Sequence, residues 1–259
     1  MLNHISNPAI IAHRGASAYA PENTLAAFEL AVRQKADAIE LDAKLTHDGH
    51  VVIFHDQTLE RTTGAQGRVI DSTLAELRHL DAGSHFDVAY RGEQIPTLDE
   101  VFALVGKHTF VIVELTNYAS LTDRLPEKVA EIVKKHNLAE RVLFSSFNPI
   151  ALVRIHRSLP QVPMGLQAMN GKKGAWARSW LGYWLHYQSL HPALDDASAY
   201  LVERAHQRGC RVLVYTVNQP EDMRRLFQIG VDGIFTDDPL TAKRILSAGS
   251  EHRMKDRER

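Results

Sequence analysis

Apolar residues along the chain gather in short runs separated by longer amphipathic stretches. Nine runs have strand character: Ile10–Ala12, Asp37–Asp42, Val51–Phe54, Phe110–Glu114, Val142–Phe144, Val162–Leu166, Tyr187–Leu190, Val212–Tyr215 and Gly233–Phe235. Between most of them the apolar positions recur at helical spacing. Leu25, Phe28, Ala31 and Val32 share one face behind a capping residue, Asn23 or Thr24. Thr97 with Glu100 reads as a capping box, Asn148-Pro149 as a cap followed by proline at the first helical position, and Gly209 and Gly230 as helix stops. Asp238-Pro239 opens a last helix. Strands that alternate with helices imply a parallel sheet. Parallel neighbours need a crossover of about a dozen residues or more, and the gap from Asp42 to Val51 is too short for one. It contains Asp48-Gly49, a hairpin signal, so Ala43–Thr46 and Val51–Phe54 are predicted to form an antiparallel excursion. Eight runs remain, and they predict an α/β fold, an eight-stranded TIM-type barrel. The polar stretch of about 56–96 is then an insertion after strand two, with helical pattern only around Thr73–Leu80. Residues 1–248 read as a single domain, and the highly charged residues 249–259 as a disordered tail.

A length of 259 residues suits one such barrel. The chain carries 30 basic and 31 acidic residues, a net charge of −1, so no basic surplus points to nucleic acid or to an anionic membrane. Attraction for a phosphate must be local. Cys210 is the one cysteine, and the fold does not depend on an intrachain disulfide. No apolar run approaches the roughly 18 residues of a membrane span, so no stable membrane insertion is expected. Met1–Pro8 lacks a basic and apolar leader pattern, which makes the cytoplasm the expected location. Nothing in the residues bears on oligomeric state.

Chemistry in a TIM-type barrel sits at the C-terminal ends of its strands. There the runs place His13-Arg14-Gly15, then Glu40-Leu41-Asp42, then His55-Asp56 after the excursion, then Glu114. Glu40 and Asp42 are two apart on a strand, so both face one side, roughly 7 Å apart along the chain, while Leu41 faces the helices. Two carboxylates turned into a barrel need neutralising, either by a hard divalent cation with Glu114 as a third oxygen ligand, or by an arginine or lysine. His13 and His55 each follow an apolar run and are candidates for acid–base work near neutral pH. Arg14 is a candidate substrate-binding clamp for phosphate, or the partner of Glu22 in a structural ion pair. Gly15 allows an unusual backbone conformation or a close approach beside it.

Several segments together resemble the glycerophosphodiester phosphodiesterases. They are Ala12-His13-Arg14-Gly15, Ala20-Pro21-Glu22-Asn23-Thr24, Ile39-Glu40-Leu41-Asp42 and Val52-Ile53-Phe54-His55-Asp56, followed by Ser145-Ser146-Phe147-Asn148, Tyr215-Thr216-Val217-Asn218 and Gly230–Asp237. Each is weak alone; their order and spacing, from about Ile10 to Pro239, are specific. The resemblance implies a barrel that hydrolyses small-molecule glycerophosphodiesters, such as glycerophosphocholine, to sn-glycerol 3-phosphate and an alcohol. It implies one divalent cation, Mg²⁺ or Ca²⁺, on Glu40, Asp42 and Glu114, and His13 and His55 as the catalytic acid–base pair. The chain departs from the family pattern at Thr116, where a lysine is frequent, and at Tyr215, where tryptophan is usual. The first departure shifts phosphate charge balance onto Arg14 and the cation. Related readings are a lysophospholipase D, a non-catalytic phosphoester-binding barrel, and a metal-independent lyase; the histidine pair argues against the second and the carboxylates against the third.

The tryptophans at 176, 180 and 184 and Tyr187 follow helical spacing. Such a stripe reads either as an aromatic lip for a lipid chain or choline group or as a helix face packed on the strands, and the second is the expectation.

Overall fold

Eight parallel strands close on themselves, and a ninth runs back along one of them. The computed structural model describes residues 1–257 apart from 3, 117, 119, 121, 180, 181 and 183, with side chains up to residue 248. The strands are β1 (Ala9–Ala12), β2 (Ala38–Leu45), β3 (Val51–Ile53), β4 (Phe110–Leu115), β5 (Val142–Ser146), β6 (Met164–Ala168), β7 (Ser189–Pro192), β8 (Arg211–Val214) and β9 (Gly233–Thr236). Their order is β1-β9-β8-β7-β6-β5-β4-β2-β3, and β1 also pairs β2, which closes the barrel. The longer helices are α1 (Leu25–Arg33), α2 (Leu98–Val105), α3 (Leu125–Lys135), α4 (Pro149–Ser158), α5 (Ala199–His206), α6 (Pro220–Gln228) and α7 (Pro239–Arg257).

The odd strand is the one expected. β3 pairs antiparallel with the outer end of β2, Lys44 opposite Val52 and Leu45 opposite Val51. The turn between them is closed by His50 O accepting from Thr46 N at 2.9 Å, with Gly49 at φ 81°. The chain from β3 to α2 then wraps a small core of its own, Val52, Phe54, Leu59, Val69, Leu77, Ala82 and Ile95. Its helical pattern shortens to one turn, Leu74–Leu77, held by a Thr73–Glu76 capping box.

Alternation along the strands sorts side chains into two environments. Ile39, Leu41, Ala43, Val111, Val113 and Leu115 point outward into the helix layer. Ile11, Ala38, Ile112, Leu143, Leu213 and Phe235 fill the lower interior together with Met1 and Ile5. Two residues further along β2 and β4 the same interior face turns acidic, with Glu40, Asp42 and Glu114. The helices start where their caps dictate. Thr24 Oγ1 accepts from Ala27 N, Thr97 and Glu100 form a complete capping box, and Asn148 Oδ1 accepts from Ile150 N and Ala151 N.

Three expectations shift. The run Val162–Leu166 becomes a strand only from Met164, because Val162 N closes a turn onto Leu159 O and Pro163 has no N–H for a neighbouring strand. Likewise β7 begins at Ser189, since Tyr187 is a buried anchor whose hydroxyl donates to Ala177 O at 3.1 Å. Two members of the tryptophan stripe are exposed rather than packed on the strands, Trp176 at 40% and Trp184 at 72%, while residue 180 lies outside the described residues. Gly171–Gly174 form a tight 3₁₀ turn and further turns follow to residue 178, while Ala177 and Tyr187 occupy the core. Side chains of residues 249–259, where the sequence suggests a disordered tail, lie outside those described. Among the described residues no helix is long and apolar enough to cross a membrane.

Candidate active site

Glu40 and Asp42 project from β2 into the barrel, and Glu114 stands beside Asp42 in register on β4. Their side chains are 2%, 2% and 7% exposed, and one oxygen of each lies within 4.8 Å of the others. Burial, then repulsion from Asp42 and Glu114, pushes the Glu40 carboxyl well above its ordinary range. Burial and repulsion from Asp42 push Glu114 up to about 8, against the hydrogen bond from Gln167. Three convergent buried carboxylates are unfavourable unless charge is supplied. A hard divalent cation fits this all-oxygen donor set.

The turn after β1 presses a cation against that centre. Arg14 has φ 55° and Gly15 φ 84°. A Cβ on Gly15 would lie 2.7 Å from the backbone and Cβ of Ala27, so glycine is what lets the turn seat on α1. The turn aims Arg14 N at Glu40 Oε2, to which it donates at 3.0 Å. Arg14 Nη1 donates to Glu22 Oε1 at 3.0 Å, and Nε lies 3.4 Å from Asp42 Oδ2 without hydrogen-bond alignment. The ion pair with Glu22 is therefore present, and the guanidinium also flanks the acidic centre. Burial works against its charge, but Asp42, Glu22 and Glu40 outweigh it and raise the Arg14 pKa. Asn23, itself at φ 58°, donates Nδ2 to Asp42 Oδ2 at 2.9 Å.

Both candidate histidines are held from behind by an aspartate. His13 Nδ1 lies 2.7 Å from Asp237 Oδ1, and Asp237 also accepts from Ser17 Oγ at 3.0 Å and Asn218 Nδ2 at 2.6 Å. His55 Nδ1 lies 2.7 Å from Asp56 Oδ1. An ionised carboxylate only accepts, so each Nδ1 carries a proton, and each Nε2 is left to accept a proton when the ring is neutral or to donate one when the ring is protonated. Burial opposes the Asp56 charge, yet Arg61 and His55 hold its pKa down at about 2. Arg61 donates to Asp56 through Nε at 2.6 Å and to Glu22 through Nη1 and Nη2, each at 2.7 Å. One chain of contacts thus runs from His55 through Asp56, Arg61 and Glu22 to Arg14.

Sequence reading singled out His13, His55, Arg14, Glu40, Asp42 and Glu114, and the barrel gathers all six at the C-terminal ends of β1, β2, β3 and β4. It gave no part in the site to Asp237, Asp56, Arg61, Tyr118 or Gln167, and read Asn23 only as a possible helix cap. Tyr118 Oη donates to Glu114 Oε1, and Gln167 Nε2 donates to Glu114 Oε2 at 2.6 Å. Asp237 directly follows β9, so the strand-end rule that found His13 could have found it. Gln167 and Arg61 carry no comparable signal.

The pattern of the Glycerophosphoryl diester phosphodiesterase family matches residues 13–241. A glycerophosphodiester phosphodiesterase of Caldanaerobacter subterraneus subsp. tengcongensis is 41% identical over 241 residues, covering 93% of this chain and 98% of that one. One from Bacillus subtilis is 35% identical over 256 residues, covering 88% and 83%. Among solved structures, an Oleispira antarctica phosphodiesterase in complex with the product sn-glycerol-3-phosphate matches with TM-score 0.84 and 33% identity, covering 93% of this chain and 97% of that one.

Proposed function

The chain belongs to the glycerophosphoryl diester phosphodiesterase family, and from that premise we propose that it hydrolyses small glycerophosphodiesters, such as glycerophosphocholine, to sn-glycerol 3-phosphate and an alcohol. The observation that carries this reading is the buried Glu40/Asp42/Glu114 centre with two aspartate-backed histidines at the same end of the barrel. Glu40, Asp42 and Glu114 would hold one divalent cation, Mg²⁺ or Ca²⁺. When bound, it supplies Lewis-acid charge to a non-bridging phosphoryl oxygen.

The chain's own groups do the rest. Arg14 binds the phosphate and stabilises charge as it develops. His13 Nε2 takes a proton from the nucleophile, water or the substrate's 2-hydroxyl. His55 donates one to the departing alcohol. Asp237 and Asp56 fix the ring orientations by accepting from Nδ1, which turns each Nε2 to the proton transfers.

Purified protein is incubated with glycerophosphocholine, with a chelator, and with the chelator followed by Mg²⁺ or Ca²⁺. Release of glycerol 3-phosphate that the chelator abolishes and a cation restores is the expected result. No release under any condition would overturn the reading. A parallel assay on lysophosphatidylcholine separates it from lysophospholipase D activity.

A further inference from the structure

On β2 the interior face continues one step beyond the acidic pair. Glu40, Asp42 and Lys44 are two apart, so Lys44 projects on the same side, at the mouth of the barrel. Its ammonium donates to Thr116 Oγ1 at 3.0 Å. Thr116 has one hydroxyl proton, and that proton goes to Ala43 O at 2.7 Å, which fixes a lone pair towards Lys44. Thr116 is buried. Among the described residues no carboxylate lies within ion-pair distance of Lys44. Burial works against its charge and lowers its pKa, while Asp42, Glu114 and Asp56 favour the charge from further away and Arg14 opposes it. Lys44 and Thr116 also line a groove of about 170 Å³ together with Leu45, Val69, Ile70 and Leu125. A half-buried ammonium thus stands at the rim of the acidic centre, seated on a neutral hydroxyl, with donor capacity left over.

We propose that Lys44 is a phosphate-binding residue of this site. The inference rests on the phosphodiesterase reading above and adds a residue to it. Three carboxylates balanced by a divalent cation and Arg14 leave the centre without surplus charge, and part of Arg14 is already committed to Glu22. Lys44 supplies the positive charge that a monoanionic diester meets on entry. It does so from β2, across from Thr116, which directly follows the strand that carries Glu114.

The test uses the metal-loaded full chain and sn-glycerol 3-phosphate, with binding read by calorimetry beside steady-state kinetics on glycerophosphocholine. Lys44→Met is expected to weaken sn-glycerol 3-phosphate by about 10- to 100-fold, the loss of one charge-assisted hydrogen bond. Lys44→Arg, which keeps the charge, is expected to recover most of that affinity. Metal affinity in Lys44→Met should be unchanged or tighter, because a like charge has been removed near the cation site. A purely structural lysine would instead lose metal and product affinity together, and that outcome overturns the proposal. So does product affinity within about threefold of wild type, since a charge-assisted contact is worth more. Lys44→Gln provides the same reading if the apolar variant folds poorly. Wild-type protein that neither hydrolyses the diester nor binds the product overturns the phosphodiesterase reading and this inference together; wild-type binding with an indifferent Lys44→Met overturns the Lys44 role alone.

Discussion

A histidine is useful as an acid or base only when one ring nitrogen is tied down and the other is available. Asp237 ties His13 through Nδ1, and Asp56 ties His55 the same way. The two supports differ in their surroundings. Asp237 is braced by the neutral groups of Ser17 and Asn218, whereas Asp56 is braced by the charged Arg61. His13→Ala and His55→Ala are each expected to lower kcat by about 10²- to 10⁴-fold, the usual worth of a positioned acid or base. Circular dichroism and thermal melting should be close to wild type, since neither ring belongs to the packed core. Near-wild-type turnover in either variant would remove that residue from the proposed acid–base pair.

Among elements, the segment after β3 is the part least committed to the barrel. It packs on its own small core, and Arg61 in the turn Glu60–Thr63 clamps it to Glu22, in the loop before α1. Arg61 also supports Asp56, so one side chain couples the position of the segment to the orientation of His55. Arg61→Met is expected to lower kcat by about tenfold or more through a misoriented His55, while the melting temperature falls little because the pair is half exposed. Faster amide exchange at Glu60–Thr63 should accompany the loss. Unchanged kcat alongside faster exchange would separate the clamp from the chemistry.

For the whole molecule, the acidic centre makes stability depend on pH and on cation. Glu40 and Glu114 have folded-state pKa values raised above their ordinary value, Glu114 to about 8. A raised carboxyl contributes stability that is present below the unfolded pKa and lost as pH climbs through the folded one. Asp56, depressed to about 2, has the opposite sign, and its contribution is lost only as the pH falls towards 2. Buried His191, held down at about 3, makes stability rise with pH up to its ordinary value near 6.5, so it is between about pH 6.5 and 9 that the two glutamates set the trend. Metal-free protein is expected to lose roughly 5 °C or more of melting temperature over that span. Saturating Mg²⁺ or Ca²⁺ should flatten the slope, and cation binding near pH 7 should release protons. A metal-free melting temperature that rises with pH would contradict the assignment.

What the sequence by itself determined was everything governed by local spacing. The two-residue period places Glu40 and Asp42 on one face and Leu41 on the other, whatever the partner strands are. The short gap containing Asp48-Gly49 excludes a crossover, so one run had to turn back and eight were left to close. Caps at Thr24, Thr97 and Asn148 start their helices through contacts of two or three residues. Only the tertiary structure decided which strand-end residues share a hydrogen bond, because that depends on register and closure. Asp237 meets His13 across 224 positions because β9 lies against β1. Thr116 seats Lys44 across 72 because β4 lies against β2. The tryptophan segment shows the limit from the other side: helical spacing predicted a buried face, but turns occupy residues 171–178 and both Trp176 and Trp184 are exposed. Periodicity describes an element that forms, and whether it forms is settled by what the rest of the chain packs against it.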